Sequence, residues 1–153
     1  MTWLLELIKN PYLLTGISSW LIAQVLKTII HAIIHKKLVW ERLFGDGGMP
    51  SGHSATVTSM AVFCGLRCGF GSFEFAIAAI LAVIVCHDAM GVRLETGKQA
   101  EVINEIVELL ESLAKKEVAD EKLKTFVGHT PMQVIAGITL GIVNAIFMNW
   151  ILH

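Results

Sequence analysis

Apolar and polar positions alternate along the chain in long blocks. Four blocks are oily: residues 13–35, interrupted by Lys27 and His31; a short one that starts at Ser51 or His53 and ends near Cys68; residues 73–91; and residues 130–152. A helix needs about 20 apolar residues to cross a bilayer, so the pattern predicts about four transmembrane helices. The opening MTWLLELIKNP predicts a short amphipathic helix at the membrane interface, ended near Asn10–Pro11. It carries an early acidic residue and no small-residue cleavage site, so it does not read as a cleavable signal peptide. Between the third and fourth blocks, Val102, Ile103, Ile106, Leu109, Leu110 and Leu113 recur at helical spacing, with Glu101, Glu105, Glu108 and Glu111 mostly elsewhere. That segment, within 93–127, reads as an amphipathic helix on the membrane or against the bundle, its charges a solvated face. Gly137 and Gly141 form a small-xxx-small face suited to close helix packing.

Composition supports lipid as the solvent. Of 153 residues, 54% are hydrophobic and 16% charged, against about 25% charged in soluble domains. The fold class expected is all-α, an integral membrane helical bundle in a single domain spanning 1–153. A net charge of −1 offers no footprint for nucleic acid. Cys64, Cys68 and Cys86 all fall inside apolar runs without a zinc pattern, and read as reduced, buried thiols.

Threading four spans places loops 36–50 and 91–128 on one side. That side carries Lys36, Lys37, Arg42, Arg93, Lys98, Lys115, Lys116, Lys122 and Lys124; the other carries Lys9 and Arg67. The positive-inside rule then directs the long loops to the cytoplasm, in an inner or plasma membrane.

The same threading brings two polar patches to one membrane face. GGMPSGHSA, at 47–55, holds His53, and GHTPMQVIAG, at 128–137, holds His129. Each histidine marks a helix start. Pro50 suits the first turn of the second span, and Thr130 and Pro131 suit the cap and first residue of the fourth. A helix N-terminus presents unpaired N–H groups and a positive dipole end, which favour an anion and a neutral, nucleophilic histidine. The third span ends nearby in HDAMGVRLETGKQ, supplying Asp88, Arg93 and Lys98. An arginine fork suits phosphate oxygens, and ionisable residues within spans, here Asp88 and Lys27, are functional candidates by default. Lys27, His31 and His35 share one helical stripe.

Each residue also has a plainer reading. His53 and His129 can be capping residues, His31 and His35 packing or interfacial residues, Lys27 a snorkelling side chain and Arg93 a positive-inside anchor. Their convergence on one edge favours an anion site.

These motifs resemble a known family. GMPSGHSA resembles the PSGH motif of the type-2 phosphatidic acid phosphatase and vanadium haloperoxidase superfamily, and GHTPMQVIAGITLG resembles its last histidine motif. With D-x-x-G-V-R and G-K-Q-A between them, the chain is most similar to the divergent membrane branch, over nearly its whole length from about residue 13. The resemblance implies that His129 is the nucleophile and forms a phosphohistidine without metal or other cofactor. It implies that His53 protonates the leaving oxygen and then activates water, while Ser51 and the Gly52 amide hold phosphate oxygens.

The chain departs from the family pattern at three places. Lys27 fits the lysine of the first motif, but Ile34 stands where its arginine falls, with no Arg-Pro. EKLKTFVGH, with Lys122 and Lys124, replaces a Ser-Arg before the last histidine. Gln133 stands where the family keeps an orienting Asp. Arg93 is therefore a candidate replacement for a missing phosphate arginine, and Asp88 for the missing carboxylate.

The leading expectation is a metal-independent membrane phosphatase acting on a lipid phosphate or pyrophosphate from the cytoplasmic face. Its partners would be that lipid and membrane lipids, with homo-oligomers compatible and nucleic acid excluded. The alternative is a non-catalytic membrane protein that binds or moves a phosphorylated ligand in the same pocket. A haloperoxidase or a Mg²⁺ site at Asp88 and the histidines are weaker readings.

Overall fold

The structure is a computed structural model and describes residues 2–37, 48–114, 123 and 128–152. Arg42, Gly47, Lys115, Lys116, Lys122 and Lys124 lie outside the described residues. Among the described residues, six helices follow one another: α1 Thr2–Ile8, α2 Pro11–His35, α3 Gly52–Cys68, α4 Phe73–Met90, α5 Val92–Ala114 and α6 Pro131–Ile151. The described residues contain no strand.

Short polar side chains set four of the helix starts. The Asn10 carboxamide oxygen accepts from the amides of Tyr12 and Leu13 ahead of α2, with Pro11 as the first helical residue. Ser51, Ser72 and Thr130 cap α3, α4 and α6, each accepting from the amide three residues on. These caps satisfy donors that the first turn leaves open. Pro50 lies outside the first turn of α3, contrary to expectation, because the Ser51 hydroxyl can accept the Ser54 amide and so takes the capping position.

Among the described residues, three stretches are long and apolar enough to cross a bilayer: Pro11–His35, Phe73–Leu113 and Pro131–Ile151. The middle one runs from α4 into α5 with Gly91 between them. The remaining expected span, α3, has 17 residues, a rise of about 26 Å, and falls short by length. Its location accounts for the difference. Helices α2, α4 and α6 pack around α3, so much of its surface meets protein rather than lipid and does not need a long apolar run. Its buried residues are mainly small, including Gly52, Ser54, Ala55, Thr58, Ser59 and Ala61.

The cross-helix contacts fix the directions. Ser19 Oγ donates to the Ala55 carbonyl and Ser59 Oγ to that of Thr15, so α2 and α3 are antiparallel. Gly137 meets Ser51 and Ala55, while Gly141 meets Ala55 and Ser59, so α3 and α6 run parallel. A Cβ on Gly137 would fall 2.5 Å from the Ser51 carbonyl oxygen, and one on Gly141 2.6 Å from that of Ala55. Only glycine permits this approach.

The interior mixes small apolar and polar side chains, and the exterior is oily, as contact with lipid requires. Thr15, Ser19, Ser54, Ser59 and Asn144 are buried, whereas Ile80, Val83, Ile84, Phe147 and Trp150 are exposed. Asn144 Nδ2 clamps α6 to α2 by donating to the Thr15 carbonyl and Ser18 Oγ, each at 3.1 Å. The protein is an all-α integral membrane protein. The amphipathic segment forms α5, whose Val102, Ile103, Ile106, Leu109, Leu110 and Leu113 remain exposed.

Candidate functional site

The two histidine patches meet at one end of the bundle. Three main-chain contacts assemble it. The Ser51 amide donates to the Gln133 carbonyl at 2.9 Å, joining the start of α3 to the first turn of α6. The His129 amide donates to the Ala89 carbonyl at 2.9 Å, joining the approach to α6 to the last turn of α4. Gly128, at φ 92°, lets the backbone lie against that of Arg93 and Leu94; a Cβ there would fall 2.5 Å from the Arg93 carbonyl carbon.

His53 occupies the first turn of α3 and is exposed, whereas His129, just before the cap of α6, is 5% exposed. Their ring centroids are 6.3 Å apart with planes tilted by 59°, close enough for one small tetrahedral anion to touch both rings. The first-turn amides of Gly52 and His53 are donors that α3 cannot satisfy within itself. The N-termini of α3 and α6 both direct their positive dipole ends to this region.

Gln133 orients His129. Its Oε1 accepts from the Thr130 amide at 3.2 Å, completing a capping box, and lies 3.1 Å from His129 Nδ1. An amide oxygen only accepts, so Nδ1 is the donor in this contact, and in a neutral ring Nε2 then carries the lone pair. This tautomer suits Nε2 for nucleophilic attack. The carbonyl does so without the charge that a carboxylate would bring to a developing imidazolium.

The other expected residues fall in different settings. Ser51 is fully buried, and its Oγ accepts from both the amide and the hydroxyl of Ser54. Gly52 is buried beside the Trp20 indole. Lys27, 5% exposed, runs its alkyl chain along Gly48 in the approach to α3. Asp88 and Arg93 form an ion pair at 2.7 Å across the α4–α5 junction, both partly exposed. The arginine thus holds the carboxylate proposed for the imidazole, while Gln133 occupies His129 Nδ1. Lys98 is exposed and paired with Glu95 at 2.7 Å. His31 and His35, further along α2, stack with centroids 4.2 Å apart.

Sequence reasoning passed over Gln24 and Trp20. Gln24 is 6% exposed, and its Oε1 has no hydrogen-bond partner among the described residues. Trp20 faces Gly52 and Lys27 faces Gly48, so the helical register places Gln24, between them on α2, at the level of the start of α3. The available signal was its spacing three residues before Lys27 in an otherwise apolar run.

A family model described as the Divergent PAP2 family matches residues 8–144. The chain is 40% identical over 156 residues to a Bacillus subtilis (strain 168) protein described as the uncharacterized membrane protein YuiD, covering 95% of this chain and 98% of the relative. No solved structure matches the chain.

Proposed function

The chain belongs to the divergent PAP2 family, and on that premise we propose that it is a membrane-embedded phosphatase. It hydrolyses a lipid phosphate or pyrophosphate through a phosphohistidine, with the site on the cytoplasmic side as the loop charges suggest. The observation that carries this reading is the His53–His129 pair, 6.3 Å between centroids at two converging helix starts, with His129 Nδ1 held by Gln133.

The scheme balances without a metal. His129 Nε2 attacks phosphorus as the bond to the leaving oxygen breaks, and His53 delivers a proton to that oxygen. His53, now neutral, takes a proton from water as its oxygen attacks phosphorus. The P–N bond breaks, inorganic phosphate leaves and the His129 lone pair returns. Phosphoryl transfer depends mostly on positioning and charge stabilisation. The reading assigns the equatorial oxygens to the α3 amides, to Lys27 and to Arg93, which also holds Asp88. Binding at headgroup depth favours a lipid over a soluble ester.

A second reading, a protein that binds or moves a phosphorylated ligand, draws support from Gln133 and from the Arg93–Asp88 pair. Phosphate release from a panel of lipid phosphates and pyrophosphates by purified protein separates the two. The phosphatase reading expects release that His53→Ala and His129→Ala each abolish. No release from any substrate would favour the binder.

A further inference from the structure

Around α3, two of the three gaps between its neighbours are closed. The α2–α6 gap is held by Asn144 on Thr15 and Ser18. The α4–α6 gap is held by packing among Cys86, Ala89 and Val134 and by the His129–Ala89 main-chain bond. The third gap is open: no Cα of α2 lies within 8 Å of one in α4. A furrow fills that gap, floored by α3 and walled by α2 and α4.

Its upper half, about 430 Å³, has His53 at its head and is otherwise lined mainly by apolar side chains, among them Ile17, Trp20, Met60 and Val85. Its lower half, about 470 Å³, continues through Met60 to Tyr12 and Cys68 at the opposite end of the bundle. From His53 to Met60 the floor descends about 10 Å along the helix axis. The open side faces lipid, because α4 carries most of its large apolar side chains outward.

We infer that this furrow seats a single hydrocarbon chain of a phosphorylated lipid, which slides in sideways between α2 and α4 and brings its phosphate to His53. The inference rests on the phosphatase reading for what happens at the head, but not for where the chain lies. The sealed seams leave the α2–α4 gap as the path from His53 to bilayer depth among the described residues. An amphiphile with an anionic head and an apolar tail matches a furrow that begins at a histidine over a helix N-terminus and continues in hydrocarbon. Bulk lipid already solvates apolar surface, so the furrow contributes packing and orientation rather than transfer energy. It aligns the head for in-line attack.

The test uses the full chain in lipid nanodiscs and a long-chain alkyl phosphate bearing a diazirine about 10 Å from the phosphate. After illumination, adducts are mapped by mass spectrometry. They are expected on Ile17, Thr56, Met60 and Val85, to be suppressed by unlabelled hexadecyl phosphate but not by hexadecanol, and to be lost in Ile17→Trp and in Val85→Trp. Either wall variant suffices if the other fails to fold. Adducts spread over outward residues such as Ile80 and Phe147, or insensitive to the competitor, would overturn the inference, as would a dimer whose second copy shields the furrow. Phosphate release is scored on the same preparations. Furrow adducts without release keep the tail site and remove the catalytic reading; release with adducts elsewhere does the reverse.

Discussion

The Ser51 amide donates to the Gln133 main-chain carbonyl across 2.9 Å, so the start of α3 and the first turn of α6 form one hydrogen-bonded unit. His53 follows Ser51 by two residues and His129 precedes Gln133 by four. The separation of the two imidazoles is therefore set by backbone, and the glycine seam below it keeps the helices close enough for the bond to form.

That seam yields the first prediction. Gly137→Ala puts a methyl 2.5 Å from the Ser51 carbonyl oxygen, and backbone must move. Overpacking of this kind costs about 1–3 kcal/mol. Thermal unfolding in detergent should show a lower Tm and phosphate release should fall, whereas Ile135→Ala, on the lipid-facing side, should change both little. An unchanged Tm for Gly137→Ala would contradict the seam's role.

Gln133 is expected to act through His129. Gln133→Ala removes the acceptor on Nδ1 and half of the capping box; one hydrogen bond of roughly 1.4 kcal/mol corresponds to a tenfold loss of rate. Gln133→Asp keeps an acceptor and adds a charge that favours the imidazolium-like intermediate, so its kcat should equal or exceed the parent's. A kcat for Gln133→Asp as low as that of Gln133→Ala would remove the orienting role.

Arg93 and Asp88 separate by readout. Their ion pair is partly exposed, and such pairs contribute about 0–1 kcal/mol; Tm should barely change in Arg93→Ala or Asp88→Ala. Arg93→Ala should raise KM for a phosphate ester, because a bidentate donor to phosphate is lost. Turnover unchanged in both kcat and KM would show that the arginine serves only as an anchor at the helix junction.

Lys27→Met keeps the buried alkyl stem along Gly48 and removes the charge. Methionine's similar volume preserves the packing along Gly48, and a Tm read on the same preparation checks that the variant folds. Vanadate inhibition, read as a concentration for half effect, should weaken in Lys27→Met if the ammonium serves the anion. Equal inhibition of both proteins would assign Lys27 to packing.

Much of this architecture is legible in the sequence, and the reasons are local. Thr130–Pro131 announces a helix start because capping depends on residues adjacent in the chain, whereas Asn10–Pro11, read as the end of the first helix, also caps α2. Convergence of the histidine patches follows from the number and length of apolar runs. What stayed hidden is tertiary. The shortness of α3 makes sense only once α2, α4 and α6 are seen to enclose it. Asp88 turns to Arg93, five residues away, a choice that depends on the angle at Gly91. Gln24 emerges as a site residue only from which stripe of α2 faces the start of α3. The open α2–α4 gap is a property of helix arrangement that no run of residues encodes.

The most direct measurement of the central claim is capture of phosphate on His129. A radiolabelled phosphate ester with a good leaving group needs little protonation to depart, so in His53→Ala attack should proceed while hydrolysis of the intermediate stalls. General acid–base help contributes about 10²–10⁴-fold, enough for the intermediate to accumulate. Quenching in base and mapping the label should find acid-labile phosphate on His129 in His53→Ala, less in the parent and none in His129→Ala. Label that is absent from His53→Ala, or present in His129→Ala, would contradict a phosphohistidine at this site.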